Sequence, residues 1–205
     1  MNILIVKSSA QGQTSVSNRL ADHFAGQLRL ARPDSKVTIR DVGAEPLPHL
    51  AEDTIAGVRA EAQSEAELAT RAISDQLLDE VRAADLVVIA SPMYNFGISS
   101  TLKTWFDYLL RPRIAFRYSE NGPEGLLGGR KVVVIESRAG VYSGEGVADL
   151  QTEHLKTMLV FAGLSDLTFV TAEGLAYGED AAAAAIASAE AELAALAHED
   201  LPLAA

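Results

Sequence analysis

The sequence predicts an α/β fold built on a doubly wound parallel sheet. Longer stretches of helical character separate several short apolar runs, and strands that alternate with helices form right-handed crossovers within a parallel sheet. The apolar runs lack polar alternation, as expected of strands covered on both faces. Four such runs are Ile3–Lys7, Leu86–Ala90, Lys131–Glu136 and Leu167–Thr171.

A fifth strand and five helices complete the predicted fold. Lys36–Asp41 alternates polar and apolar residues, which fits an edge strand. Five strands in this chain order are typical of a flavodoxin-like sheet with spatial order 2-1-3-4-5 and helices on both faces. No repeat or low-complexity linker interrupts the chain, so we expect one domain over residues 1–205. The predicted helices are Ser17–Leu30, Glu65–Ala83, Ile98–Leu110, Asp149–Ala162 and Asp180–His198.

Composition excludes several classes of function. The net charge of -11 would repel nucleic acid and anionic membranes. The chain has no cysteine, which excludes disulfides and thiolate-bound metals, and its four histidines lack metal-ligand spacing. No apolar run approaches the roughly 18 residues that span a bilayer, and no signal peptide is recognisable. We therefore expect a cytoplasmic protein without a metal.

Two long connections, Val42–Ser64 and Arg111–Arg130, contain prolines and show no clear periodicity. Long loops in a compact domain usually serve as lids, binding loops or interface elements. Both connections are therefore candidates for a lid, a binding loop or an interface element.

A hydroxyl-rich loop, Ser8–Ser17, follows the first strand and leads into a helix. Hydroxyls and free amides at a helix N-terminus form a phosphate site. The loop lacks both the G-x-G-x-x-G dinucleotide fingerprint and any Lys or Arg, so a single phosphate monoester is the better match. The alternative is that Ser15 or Ser17 only caps the helix.

The loops after the third and fourth strands carry aromatic residues and glycines. In Met93-Tyr94-Asn95-Phe96, rings and an amide could hold a heteroaromatic ring; alternatively, the aromatics cover the core. In Ser137-Arg138-Ala139-Gly140, glycine would allow close approach to a flat ligand; alternatively, this is a flexible connection. The first, third and fourth strands are adjacent in the predicted order, so the three loops converge at the switch point. A phosphate cradle beside aromatic loops predicts FMN.

At these residues the chain resembles the FMN-dependent NADH-azoreductases of bacteria, which are close relatives of the dimeric quinone reductases. The resemblance covers nearly the whole chain, and PMYNF and FRYSENGPEGLL are its most specific motifs. The matching segments are ILIVKSS (Ile3–Ser9), SVSN (Ser15–Asn18), PMYNF (Pro92–Phe96), ISSTLKTWFD (Ile98–Asp107), FRYSENGPEGLL (Phe116–Leu127), SRAG (Ser137–Gly140) and FVTAEGLAYG (Phe169–Gly178).

The resemblance implies a set of site residues and a homodimer with interfacial active sites. Ser9, Ser15, Val16 and Ser17 would hold the FMN phosphate. The flavin ring would be surrounded by two segments, Met93, Tyr94, Asn95 and Phe96, and Ser137, Arg138, Ala139 and Gly140. Substrate would meet Phe116, Tyr118, Tyr142 and Phe161, the last contributed by the partner subunit.

Two positions carry further expectations. The family loop commonly reads Ser-Arg-Gly-Gly, whereas this chain has Ala139; if that position requires a positive φ, alanine would cost about 1 kcal/mol. Arg59 in the long Val42–Ser64 connection could meet a nicotinamide cofactor or an acidic substrate; otherwise it is a solvated arginine.

The implied activity is ping-pong reduction of quinones and azo compounds by NADH or NADPH through bound FMN, which supplies the redox chemistry. A flavodoxin-type one-electron carrier without substrate turnover is the alternative. The long Arg111–Arg130 connection, which carries Phe116 and Tyr118, argues against a carrier, because it could enclose a small-molecule pocket. A response-regulator-like domain would need acidic residues after the first strand, where this chain has serines.

Overall fold

The computed structural model describes residues 1–144 and 149–199. Five parallel strands form the main sheet, and a separate antiparallel hairpin is inserted before the last two of them. In chain order the strands are β1 (Asn2–Lys7), β2 (Lys36–Asp41), β3 (Leu86–Pro92), β4 (Phe116–Ser119), β5 (Gly122–Gly125), β6 (Lys131–Ser137) and β7 (Asp166–Ala172).

Helices cover both faces of the sheet and create two cores. Alternate strand residues face opposite sides, so Leu4 and Val6 belong to one core and Ile3 and Ile5 to the other. This is why the central strands are apolar without alternation. The helices are α1 (Val16–Ala31), α2 (Ala56–Arg59), α3 (Glu65–Ala83), α4 (Ser100–Leu109), α5 (Leu150–Phe161) and α6 (Glu179–Ala197).

The predicted doubly wound fold is confirmed, and so is the edge position of Lys36–Asp41. The sheet order is β2-β1-β3-β6-β7. It differs from the predicted 2-1-3-4-5 only in the numbers of the last two strands, because the hairpin β4–β5 that precedes them was not predicted. The four-residue helix α2 was also missed.

The hairpin is fixed to the C-terminal end of α5 by close backbone contact. A Cβ atom on Gly125 would lie 2.0 Å from the amide nitrogen of Gly163, so only glycine fits there. The Leu127 amide donates to the Ala162 carbonyl at 2.9 Å. The Phe116 ring lies 4.4 Å from the Phe161 ring. The aromatic residues of the long Arg111–Arg130 connection are therefore held at the C-terminal end of α5, opposite its N-cap, Asp149.

Among the helices of the described ranges, none combines the length and the apolar character needed to cross a membrane. In the same ranges, no three His, Asp or Glu side chains are grouped so that they could hold a metal ion.

Candidate flavin site

Three loops meet where the adjacent strands β1, β3 and β6 end, and hydrogen bonds join them. The Tyr94 hydroxyl lies 3.1 Å from Ser9 Oγ and accepts from the Ala10 amide at 3.0 Å. The Met93 amide donates to the Ser137 carbonyl at 2.9 Å. The structure thus brings the three predicted segments into one crevice at the topological switch point, where open α/β sheets bind ligands.

The phosphate loop ends at the N-terminus of α1. Ser15 Oγ caps the helix by accepting from the Asn18 amide at 3.4 Å, and it lies 3.1 Å from Ser17 Oγ. No hydrogen bond within residues 1–144 and 149–199 uses the amides of Val16 and Ser17. Ser15 therefore does cap the helix, as the alternative interpretation held, whereas Ser17 and the two amides remain for a ligand.

These donors fit a phosphate monoester chemically. Neutral hydroxyls, first-turn amides and the positive end of the helix dipole all favour an anion. Ser9, Ser15 and Ser17 are at most 1% exposed, however, and the exposed segment 10–14 lies beside them. A phosphate is larger than a water molecule, so the groups that cover the serine hydroxyls must shift for the phosphate to reach them. Asn18 Nδ2 holds the segment through the Gly12 carbonyl at 3.1 Å.

The second loop contains a tight turn with two residues in the left-handed region. Amide and carbonyl groups of Tyr94 and Gly97 pair reciprocally at 2.9 and 3.1 Å. Between them, φ is 49° at Asn95 and 71° at Phe96. Asparagine tolerates this conformation, whereas phenylalanine is strained in it, and such strain concentrates at functional sites. The turn therefore places its positive φ angles on Asn95 and Phe96 and not on Gly97, and the Phe96 ring is 59% exposed.

In the third loop, the expectations for Ala139 and Arg138 need revision. Ala139 is exposed, and it is not among the described non-glycine residues with positive φ. The substitution therefore carries no backbone cost. A Cβ on Gly140 would lie 3.2 Å from the Tyr142 ring, so glycine lets this ring approach. The Tyr142 ring in turn lies edge-on to the Phe96 ring, with centroids 6.2 Å apart, and this contact joins the two loops.

The side chain of Arg138 points beneath the loop, into a buried ionic network, and not toward the crevice. It is 3% exposed. Its guanidinium lies 2.7 Å from Glu136, 2.9 Å from Asp149 and 3.8 Å from Glu173. Only the backbone of Arg138 could therefore face a flavin, and the amide of that backbone already donates to the Ala172 carbonyl.

The same network links the end of β3 to α5. Arg138 Nε donates to Gln151 Oε1 at 3.1 Å, and Gln151 Nε2 donates to the Ser91 carbonyl at 2.9 Å. Burial raises the pKa of Glu136, although Arg138 and Thr152 oppose the rise. Burial acts in the same direction on Asp149, but hydrogen bonds from Thr152 and Arg138 prevail and lower the pKa of Asp149. This network was not predicted from the sequence; its one visible signal was Glu136, which follows the apolar run Val132–Ile135.

The substrate-side residues fall into two groups. Tyr142 lies with the flavin loops, whereas Phe116, Tyr118 and Phe161 form an aromatic cluster at the hairpin. Arg59 lies apart from both groups, and its Nη1 donates to the carbonyl of Leu110, just after α4, at 2.7 Å. Helix α4 begins beside the second loop, and ten residues of helix span about 15 Å. Within one chain, the hairpin group therefore lies apart from the flavin loops.

Comparison with known proteins agrees with this architecture. The family model described as flavodoxin-like fold matches residues 1–197. The chain is 47% identical over 200 residues to an FMN-dependent NADH:quinone oxidoreductase of Hyphomonas neptunium, with 96% of each chain covered. It is 44% identical over 196 residues to the FMN-dependent NADH:quinone oxidoreductase of Escherichia coli O157:H7, covering 93% of this chain and 96% of the relative.

A crystal structure of an azoreductase from Bacillus anthracis str. Sterne superposes with a TM-score of 0.87 at 30% identity, covering 97% of this chain and 99% of that one. The sequence match, the fold and the three joined loops agree, and the chain belongs to the flavodoxin-like family of FMN-dependent NADH:quinone oxidoreductases.

Proposed function

We propose that this protein binds FMN and uses NADH or NADPH to reduce quinones and azo compounds. The observation that carries the proposal is the crevice in which a serine and amide cradle meets two aromatic loops at the switch point. The names of its relatives, quinone oxidoreductases and an azoreductase, agree with this chemistry. A one-electron carrier is not favoured.

The chain's own residues bind and orient the cofactor. Bound FMN would accept hydride from the nicotinamide and pass electrons to the acceptor. The Ser17 hydroxyl and the first amides of α1 would hold its phosphate, with Ser9 and Tyr94 fixing the loop beside them. The amides of Met93 and Tyr94 are already paired, so they cannot stabilise negative charge on the ring. This role would fall to Asn95 and Phe96, whose amides make no hydrogen bond within the described ranges.

We further propose that the active enzyme is a homodimer in which each flavin crevice is completed by the partner subunit. A surface along α5 joins the two separated groups of residues. Two adjacent cavities, about 520 and 420 Å³, share Glu153 and Thr157; the first reaches Phe96, and the second reaches Phe161. A second copy packed antiparallel on this surface would place its hairpin over the crevice, as two-fold symmetry allows. Three exposed apolar residues on this face, Phe96, Leu150 and Val160, support an interface.

One experiment tests the proposed activity directly. We expect the purified protein to contain one noncovalent FMN per chain, identified after heat release. Double-reciprocal plots of NADH oxidation at several quinone concentrations should be parallel, because donor and acceptor use one site in turn. FAD in place of FMN, or a stable semiquinone without turnover of quinones or azo dyes, would contradict the proposal.

A second prediction concerns the aromatic cluster. Tyr118 is 76% exposed, so Tyr118→Ala should preserve the fold while lowering acceptor turnover several-fold. FMN affinity should hardly change, because the residue would face the partner's substrate. Phe161→Leu keeps the packing against Phe116 and should act in the same direction. Leu30→Ala, at an equally exposed position, is the control. Light scattering should show a dimer; an active monomer would refute the shared site.

Two further expectations stand as proposals. The chain forms one domain, which is supported by the sheet that combines strands from β1 to β7. A cytoplasmic location would give the enzyme access to reduced nicotinamide nucleotides.

A further inference from the structure

A polar cavity outside the flavin crevice is lined by four arginines. It has a volume of about 500 Å³ and lies between α2, α3 and the segment that follows α4. Four of the chain's 17 basic residues converge here, although the net charge of the protein is -11. The arginines are Arg59, Arg71, Arg111 and Arg113.

Three of these arginines also hold the cavity walls. Arg59 donates to the Leu110 carbonyl at 2.7 Å, and Arg71 donates to the carbonyls of Gly57 and Ala60. Arg111 is buried and lies 2.6 Å from Asp75. Each guanidinium has five N–H donors in a fixed plane, so these bonds orient the arginines and leave further donors free. Two carboxylates would repel an anion in this cavity. They are Asp75 beside Arg111 and Glu61 in the lining.

Arg113 differs from the other three. Its φ is 68°, in the left-handed region where glycine is the ordinary residue. Its side chain is exposed and lines the cavity, and within the described ranges that side chain forms no hydrogen bond or ion pair. The fold therefore tolerates backbone strain at a residue whose side chain contributes no bond to the chain itself. Strained residues of this kind cluster at active sites, ligand clamps and switch regions.

We propose that Arg113 completes a binding site for a diphosphate group in this cavity. Planar guanidiniums pair bidentately with phosphate oxygens, and several of them can hold two linked phosphates. The cavity adjoins the base of the hairpin, because the Arg113 amide donates to the Phe116 carbonyl at 2.6 Å. In the proposed homodimer that hairpin lies over the partner's flavin. The diphosphate of a nicotinamide dinucleotide is one source that could reach the site, and a free diphosphate is the other.

The test measures diphosphate binding by calorimetry on the FMN-loaded enzyme, at constant ionic strength, so that the FMN phosphate cradle is already filled. Arg113→Asn removes the guanidinium but tolerates positive φ. We expect it to weaken sodium diphosphate binding about 10-fold or more while leaving Tm unchanged or higher. Arg113→Gly should behave in the same way. Arg29→Asn removes an exposed arginine at the end of α1 and should leave binding unchanged.

Equal binding by wild type and Arg113→Asn would overturn the site, and so would a fall in Tm that parallels the loss of binding. A second arm identifies the source and depends on the proposed function. If diphosphate competes with NADH, the site binds the diphosphate of the nicotinamide donor. If NADH oxidation is undiminished at saturating diphosphate, the site binds a free diphosphate. A protein that binds diphosphate through Arg113 but lacks FMN would refute the proposed function alone.

Discussion

Replacing Ser17 by alanine should weaken FMN binding about 10- to 150-fold, because one hydrogen bond from a neutral donor to a charged phosphate contributes roughly 1.5–3 kcal/mol. Ser17 is the informative position in the cradle. Among the described residues its hydroxyl forms a hydrogen bond only with Ser15 Oγ, and it does not cap α1. Riboflavin lacks the phosphate, so its affinity for Ser17→Ala should equal its affinity for the wild type. Flavin fluorescence quenching on titration of the apoprotein measures both affinities.

Ser15 requires a different design, because it serves the helix and the proposed ligand together. Ser15→Ala would also remove the cap, at a cost of about 1 kcal/mol to stability. Ser15→Asn retains a capping side chain while replacing the hydroxyl, so it separates the two roles. The double variant Ser15→Ala with Ser17→Ala should lose more FMN affinity than either single variant. If riboflavin and FMN lost affinity equally, the serines would shape the loop and not bind phosphate.

The sheet was predictable because each central strand carries apolar residues on both faces, which leaves a continuous run in the sequence. The hairpin was not. Its second strand, Gly122–Gly125, consists of glycines, a proline and a glutamate, all poor strand formers. Tertiary contact stabilises it, since Gly125 packs directly against Gly163, 38 positions later in the sequence. A local pattern holds no information about such a contact.

The location of the site followed from topology, but the directions of its side chains did not. Loops after β1, β3 and β6 must meet once the strand order is known, so the crevice itself was predictable. Arg138 was assigned to the flavin ring because the family resemblance places the third loop there. Its side chain turns away because Asp149 and Glu173, distant in sequence, surround the guanidinium. The left-handed conformations of Phe96 and Arg113 were likewise invisible, since neither residue type signals positive φ.

Arg138→Met should be the most destabilising substitution among those considered, with a loss of about 3–5 kcal/mol and a fall in Tm of about 6–20 °C. Methionine fills much of the volume of the arginine stem but leaves Glu136 as a buried carboxylate without its counter-charge. Thermal unfolding followed by circular dichroism measures the loss. Arg117→Met breaks an exposed pair with Glu124 and should hardly change Tm, because solvent screens that pair.

The destabilisation should depend on pH with a definite sign. Burial raises the pKa of Glu136 in the folded protein, so the native state binds this proton more tightly than the unfolded chain. Its contribution to stability is therefore present below the ordinary glutamate pKa and is lost as pH rises through the folded value. Removing Arg138 removes an interaction that lowers the folded-state pKa of Glu136, so this pKa rises further above its unfolded value. The pH range over which stability is lost therefore becomes wider. Arg138→Met should consequently lose less stability at pH 5 than at pH 8.

A second substitution tests whether Glu136 is the cause. Arg138→Met combined with Glu136→Gln removes the buried charge, and the amide can still pair with Thr152 and Thr171, which contact the carboxylate in the wild type. We expect this double variant to recover part of the lost Tm and to lose the difference between pH 5 and pH 8. If the pH dependence persisted in the double variant, its source would be Asp149, whose pKa Arg138 also lowers, and not Glu136.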